Sequence, residues 1–287
     1  MEFVKGLGGV YYLLIVLAAA VAIECALPWR KGLKINLARW LRNASMTVYG
    51  TILLSAIPAI AAFGAATAAE ANGVGLMNQL GLPFSARLII SVLALDLMAY
   101  GQHRMLHQWY VLWRTHRAHH TDINIDVSTS LRFHPFETLF RAMIEVAVVF
   151  ALGVPPEGIL LIYLIHVIAN AFTHANVALP RKADIILSRI ITTPAVHRQH
   201  HSTDLSRQCS NFGTAFTIWD QMFGTFSGPE NLREDERFGV EGPEAMKADT
   251  FGNLVFDPFR KPKGAGVPRP PAPDMPAAKD AAADKAL

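Results

Sequence analysis

Cysteine is almost missing. Cys25 and Cys209 are the only two in 287 residues, so the chain has neither a disulfide framework nor a CxxC pair for zinc or an iron–sulfur cluster. Charge is scarce as well, 17% of residues against 52% apolar, and long windows carry no Lys or Arg, which points to membrane spans instead of an ordinary soluble core. The net charge of +3 comes from clusters beside the apolar segments and from the C-terminal end. These are topology signals and do not form a nucleic-acid-binding surface. HExxH is absent, which removes zincin protease chemistry, and no Glu has His three residues on, which removes the soluble four-helix di-iron pattern. Histidine itself is absent before residue 103 and after residue 201.

The apolar segments set the expected architecture, an all-α integral membrane protein. Residues 9–29 form a run of spanning length ended by Pro28, Trp29, Arg30 and Lys31. A cleaved signal peptide is disfavoured, because only Lys5 precedes the run and no small-x-small site follows it. The connector from Arg30 to Arg42 carries five Lys/Arg residues and reads as cytoplasmic by the positive-inside rule. Residues 46–69 read as a second span kinked at Pro58, and the Lys/Arg-free loop from Glu70 to Ala86 as external. A third apolar helix opens at Arg87 and returns to the cytoplasm at His103 and His107. Residues 138–153 and 158–179, joined by a Val154-Pro155-Pro156-Glu157 turn, read as a hairpin that enters from the cytoplasm and returns there; its first arm is short for a full crossing. About four transmembrane helices or hairpins, with a cytosolic helical cap carrying the histidines, follow from this. The expected division is 1–86 for the N-terminal helices and loop, 87–228 for the catalytic unit, 229–260 for a C-terminal extension and 261–287 for a disordered Pro/Ala-rich tail. The first three apolar segments place the chain in a membrane, with the histidines expected on its cytoplasmic side.

All eleven histidines lie between residues 103 and 201. Nine fall into compact groups: His103 and His107 in HRMLH; His116, His119 and His120 in HRAHH; His174 in FTHANV; and His197, His200 and His201 in HRQHH. Histidines at i and i+4 share one helix face, and in each HxxHH box the middle ring sits beside them, so three imidazoles are expected to converge from a single turn; neutral imidazole suits iron, zinc and copper. Nine ligands exceed one ion of four to six coordination, so the arithmetic calls for two metals. Imidazoles leave the metal charge uncompensated, so carboxylates behind the ligands are expected, with Asp96, Asp122, Asp126, Glu137 and Asp204 as candidates. Asp96 shares a helical stripe with Tyr100, His103 and His107 and is expected to accept an imidazole N–H from a histidine below it, the alternative being a structural hydrogen bond to a neighbouring helix. Asn170, one turn before His174, is placed to orient that ligand. His134 reads as a structural residue or one that supports a ligand, and His166 as a polar contact to another helix.

HRMLH, HRAHH with DVSTSLRFHPFE, HANVALP, TPAVHRQHH and WDQMFGTF together resemble the sterol desaturase branch of the fatty acid hydroxylase superfamily, over residues 87–227. The resemblance implies a membrane enzyme with two non-haem iron ions on the nine histidines above. It would use O₂ and two reducing equivalents to hydroxylate or desaturate a C–H bond of a sterol-like, fatty-acyl or related lipid. Cys209-Ser210-Asn211-Phe212-Gly213 departs from relatives that carry Asp before the Ser-Asn pair. No cytochrome b5 domain is fused, so the expected electron donor is separate, cytochrome b5-like or a ferredoxin with its reductase. The non-enzymatic alternative is a membrane metal transporter or metal sensor. A transporter would place its ligands near the bilayer midplane on broken helices, with repeated halves.

Overall fold

A computed structural model describes residues 2–57, 61–241 and 250–260, with residues 2–10 described by backbone alone. The described residues are helical, with isolated β-bridges and no sheet. The helices are α1 (Glu2–Ala26), α2 (Leu37–Ser55), α3 (Ala62–Ala71), α4 (Leu76–Gln79), α5 (Phe84–Gln108), α6 (Tyr110–His120), α7 (Pro135–Leu152), α8 (Pro156–His174), α9 (Arg181–Leu187), α10 (Pro194–His200), α11 (Leu205–Gln208), α12 (Ile218–Met222) and α13 (Phe251–Phe256). Pro58 and the tail from residue 261 lie outside the described residues.

Two helices, α5 and α8, are long and apolar enough to cross a membrane, and residues 11–26 of α1 form a shorter apolar stretch. Together they support membrane association. The expected second span is divided. α2 starts inside the basic connector, where the Asn36 side chain accepts from Arg39 N, and it ends at Ser55, with α3 beginning at Ala62. The 46–69 run therefore holds two helices, and the one proline in that stretch of sequence, a residue that removes an i→i−4 donor, falls between them. α7 and α8 are joined by three residues, and Gly153 closes α7 at φ +70. A β-carbon on Gly75 (φ +98) would meet Gly153 backbone at 2.1 Å, so the α3–α4 turn is clasped directly onto the hairpin tip.

The main apolar core lies at that end, where Ala65, Ala66, Leu95, Val149, Ile159 and Ile162 interlock. At the other end the interior is polar. Arg39 from α2 bridges Asp122 and Asp126, and Asn43 and Thr129 also reach Asp122, at 3.2 and 2.9 Å. Arg132 donates to Ala118 O at 2.7 Å and Thr121 Oγ1 at 2.6 Å, tying down the end of α6. Buried charges survive there because each is paired and hydrogen-bonded.

Candidate metal centre

The nine box histidines meet in one buried region, supplied by the last two turns of α5, the last two of α6, the last residue of α8, and α10 with the residue after it. They form two groups, His103, His107, His116, His120 and His200, and His119, His174, His197 and His201. Within each group the candidate ligand atoms lie within 4.8 Å of one another. Each HxxHH box therefore divides between the two groups instead of converging on one. Positions i and i+4 share a face, so His116 goes with His120 and His197 with His201; the middle histidine lies about 100° round the helix and faces the other group.

Proton placement tests whether this set fits cations. A backbone carbonyl only accepts, so His103 Nδ1, 2.9 Å from Phe212 O, carries its proton there and leaves Nε2 bare. His116 Nδ1 lies 3.0 Å from Glu137 Oε1, which leaves its Nε2 bare too. These two lone pairs face one another at 3.1 Å. In the second group His174 Nδ1 donates to Asn170 O at 2.8 Å, and its bare Nε2 meets His119 Nε2 at 3.1 Å and His197 Nε2 at 3.0 Å. One lone pair cannot accept from both. Opposed lone pairs repel unless a cation lies between them, and ligands about 2.1 Å from one ion at right angles stand about 3.0 Å apart. The nitrogens fit two metal ions.

Burial keeps the donors neutral. It pushes the imidazoles of His119, His120, His197 and His201 well below their ordinary range, with neighbouring histidines adding to the shift, and takes His200 down to about 3. Backbone carbonyls orient three of the nine rings. Besides Phe212 O and Asn170 O, Ser210 O accepts from His200 Nδ1 at 2.8 Å. Phe133 stacks on His119 at 5.0 Å and 11°.

The sequence candidates fall into distinct places. Glu137 is buried against His116 and also accepts from Arg141 Nε at 3.0 Å. Asp96 does not take an N–H from the histidine below it; it accepts from His166 Nε2 at 2.9 Å, Trp219 Nε1 at 2.8 Å and Ala215 N at 3.3 Å. His166 thus makes the contact between helices. Asn170 holds His174 through its carbonyl, while its side chain donates to His166 O. Asp122 and Asp126 belong to the Arg39 network, and Asp204 caps α11. His134 caps α7, accepting from Phe136 N at 3.2 Å and donating to Val255 O at 3.1 Å.

Two further residues build the site without having been singled out. Asn211 has φ +57 and turns the chain so that the carbonyls on either side of it reach His200 and His103. Its side chain fixes that turn through Val196 O at 3.0 Å and Ser227 N at 2.7 Å. Asp220 accepts from Phe212 N at 2.8 Å and Gly213 N at 2.7 Å. An Asn in the segment after the last box was the available signal, since Asn is among the few residues that visit this conformation.

A helical, membrane-associated chain with two buried all-imidazole groups defines a candidate two-metal centre. Residues 88–225, just under half of the chain, match the fatty acid hydroxylase family. It is 32% identical over 163 residues to ornithine lipid hydroxylase OlsE of Rhizobium tropici, covering 57% of this chain and 48% of that protein. Alkylglycerol monooxygenase of Homo sapiens is 31% identical over 158 residues, 53% of this chain and 32% of that protein. Very-long-chain aldehyde decarbonylase GL1-9 of Oryza sativa subsp. japonica is 28% identical over 158 residues, 54% and 59% respectively. The chain thus spans about half the length of the first relative and less of the second. No solved structure gives a significant match.

Proposed function

We propose that this protein is an O₂-dependent membrane oxidoreductase with two iron ions, which hydroxylates or desaturates a C–H bond of a lipid. The observation that carries this reading is the two buried sets of Nε2 atoms, one with His103 and His116 opposed at 3.1 Å where α5 and α6 end, the other gathered about His174 at the end of α8. In this reading residues 87–228 are the catalytic unit, the histidines face the cytoplasm of a bacterial inner membrane, and a separate carrier, cytochrome b5-like or a ferredoxin with its reductase, delivers electrons. The printed names of the relatives support lipid oxidation, as they include a lipid hydroxylase, a monooxygenase and an aldehyde decarbonylase.

Bound iron supplies the O₂ activation that no amino-acid side chain provides. The nine histidines, His103, His107, His116, His119, His120, His174, His197, His200 and His201, hold the two ions as neutral donors. Glu137 offsets part of their charge through His116 and keeps that ring's proton on Nδ1. Asn170, Ser210 and Phe212 hold three further Nδ1 protons at carbonyls, so the Nε2 atoms remain free as donors. Apolar side chains of α5 and α8 border the site on the membrane side, where an acyl or sterol-like chain approaches.

The test is direct. Purified protein reconstituted with ferrous iron retains iron and supports O₂-dependent lipid oxidation with a reductant; His119→Ala abolishes that oxidation. Iron-free preparations after reconstitution, or full activity in His119→Ala, overturn the reading. Comparative lipid mass spectrometry of a deletion strain and its parent identifies the lipid. The transporter or sensor alternative predicts metal flux in proteoliposomes without lipid oxidation.

A further inference from the structure

Two segments outside the metal centre carry a surface that the reaction does not use. Residues 181–190 and 217–223 are joined to one another: Thr217 N donates to Ile190 O at 3.2 Å, Thr217 Oγ1 to Ser188 O at 2.9 Å, and Gln221 Nε2 to Arg189 O at 2.9 Å. On their outer side Ile186 is 69% exposed, Ile190 64% and Met222 64%, with Ile218 and Phe223 beside them. Isolated exposed apolar residues are ordinary; a contiguous set is not. The charges are equally one-sided. Arg181, Lys182 and Arg189 are exposed, while the acidic residues of the two segments, Asp184 and Asp220, are buried.

The position of this surface along α5 identifies what covers it. Trp219 donates to Asp96 at 2.8 Å, and Phe223 stacks on Tyr100 at 5.4 Å. Asp96 is the midpoint of α5 (Phe84–Gln108), about 18 Å from either end at 1.5 Å per residue. A helix of about 37 Å that crosses a hydrocarbon layer of about 30 Å keeps its midpoint roughly 11 Å or more inside that layer. α12 is attached at that midpoint, and the exposed Leu93 and Leu97 of α5 lie on the same stretch of helix.

We propose that residues 181–190 and 217–223 form an interfacial foot in the leaflet nearest the metal centre. Ile186, Ile190, Ile218 and Met222 sit among acyl chains, while Arg181, Lys182 and Arg189 reach back to headgroups. The inference rests on α5 being a membrane span. It makes the part of the chain after the hairpin a component of the membrane domain, with the hydrogen bond from Trp219 to Asp96 fixing its depth.

Single cysteines in a C25S/C209S background of the full chain, labelled with an environment-sensitive fluorophore in nanodiscs, test it. Labels go at L93C on α5, at I186C and M222C on the foot, at R181C among its cations, and at R237C as a water-exposed reference. Lipids brominated along the acyl chain quench L93C, I186C and M222C several-fold more than R237C, and lipids brominated near the headgroup quench R181C. Each labelled variant retains its bound metal, which shows that it is folded. Quenching at L93C with I186C and M222C matching R237C overturns the foot and leaves the span intact. Absence of quenching at L93C overturns the membrane reading itself, and the foot with it.

Discussion

Glu137 Oε1 lies 3.0 Å from His116 Nδ1 and accepts from Arg141 Nε at the same distance, so a single buried oxygen joins a candidate metal ligand to a fixed cation. Burial alone would raise this carboxyl, but His116 and Arg141 beside it hold it at about 2. It is an anion at neutral pH. Glu137→Gln keeps the shape and removes the charge, and metal affinity falls about 10–100-fold. Competition with a chromophoric chelator measures this; unchanged affinity would show that His116 needs no anionic partner.

The two histidine groups predict separable metal losses. His197→Ala removes a donor from the four-histidine group, and His107→Ala removes one from the five-histidine group. Each lowers metal content from two ions per chain toward one, as read by elemental analysis of folded protein. No loss in either variant contradicts two centres.

Acid stability of the metal-free protein follows from the same imidazoles. In the unfolded chain they take up protons near pH 6.5, whereas His119, His120, His197 and His201 stay neutral well below that and His200 down to about 3. The unfolded state therefore binds more protons between these limits. Stability is retained above pH 6.5 and lost progressively as pH falls from there toward 3. A fluorescence-monitored pH titration of chelator-treated protein shows an unfolding transition in that window.

Asp96→Leu leaves the buried donors of Trp219 and His166 without an acceptor, at a cost of about 3 kcal/mol. Thermal unfolding in nanodiscs shows the lowered midpoint. Asp96→Asn keeps one acceptor oxygen and loses less.

Asn211 gives a backbone prediction. Asn211→Ala adds the left-handed cost of about 1–2 kcal/mol to the loss of its bonds to Val196 and Ser227, so it destabilises more than Asn211→Gly, which removes only the bonds. Thermal unfolding of the two variants checks that order.

The nine histidines were legible because spacing on a helix is a property of sequence: HxxxH and HxxHH fix which rings share a face. The α7–α8 hairpin was legible for a similar reason, since Pro155 and Pro156 interrupt two apolar runs. What stayed hidden depends on approach between distant segments. Asp96 and His166 are 70 residues apart, so nothing on the Asp96 stripe could show that its partner comes from α8 and α12 instead of His103. The carbonyls of Ser210 and Phe212 carry no side-chain signal at all. Splitting of the 46–69 run was half legible: Pro58 marks an interruption, but the sequence there does not say whether one helix bends or whether it ends at Ser55 and another starts at Ala62.

The division of both HxxHH boxes has a consequence for how the centre is filled. α6 and α10 each send ligands to both groups, so a cation seated in one group fixes the rotation of two helices that also shape the other. The second ion meets histidines already ordered, and the conformational entropy it would otherwise lose has been lost before it arrives. On the two-ion reading, filling one group therefore favours filling of the other, and a preparation short of metal holds fewer half-filled molecules than independent sites would give.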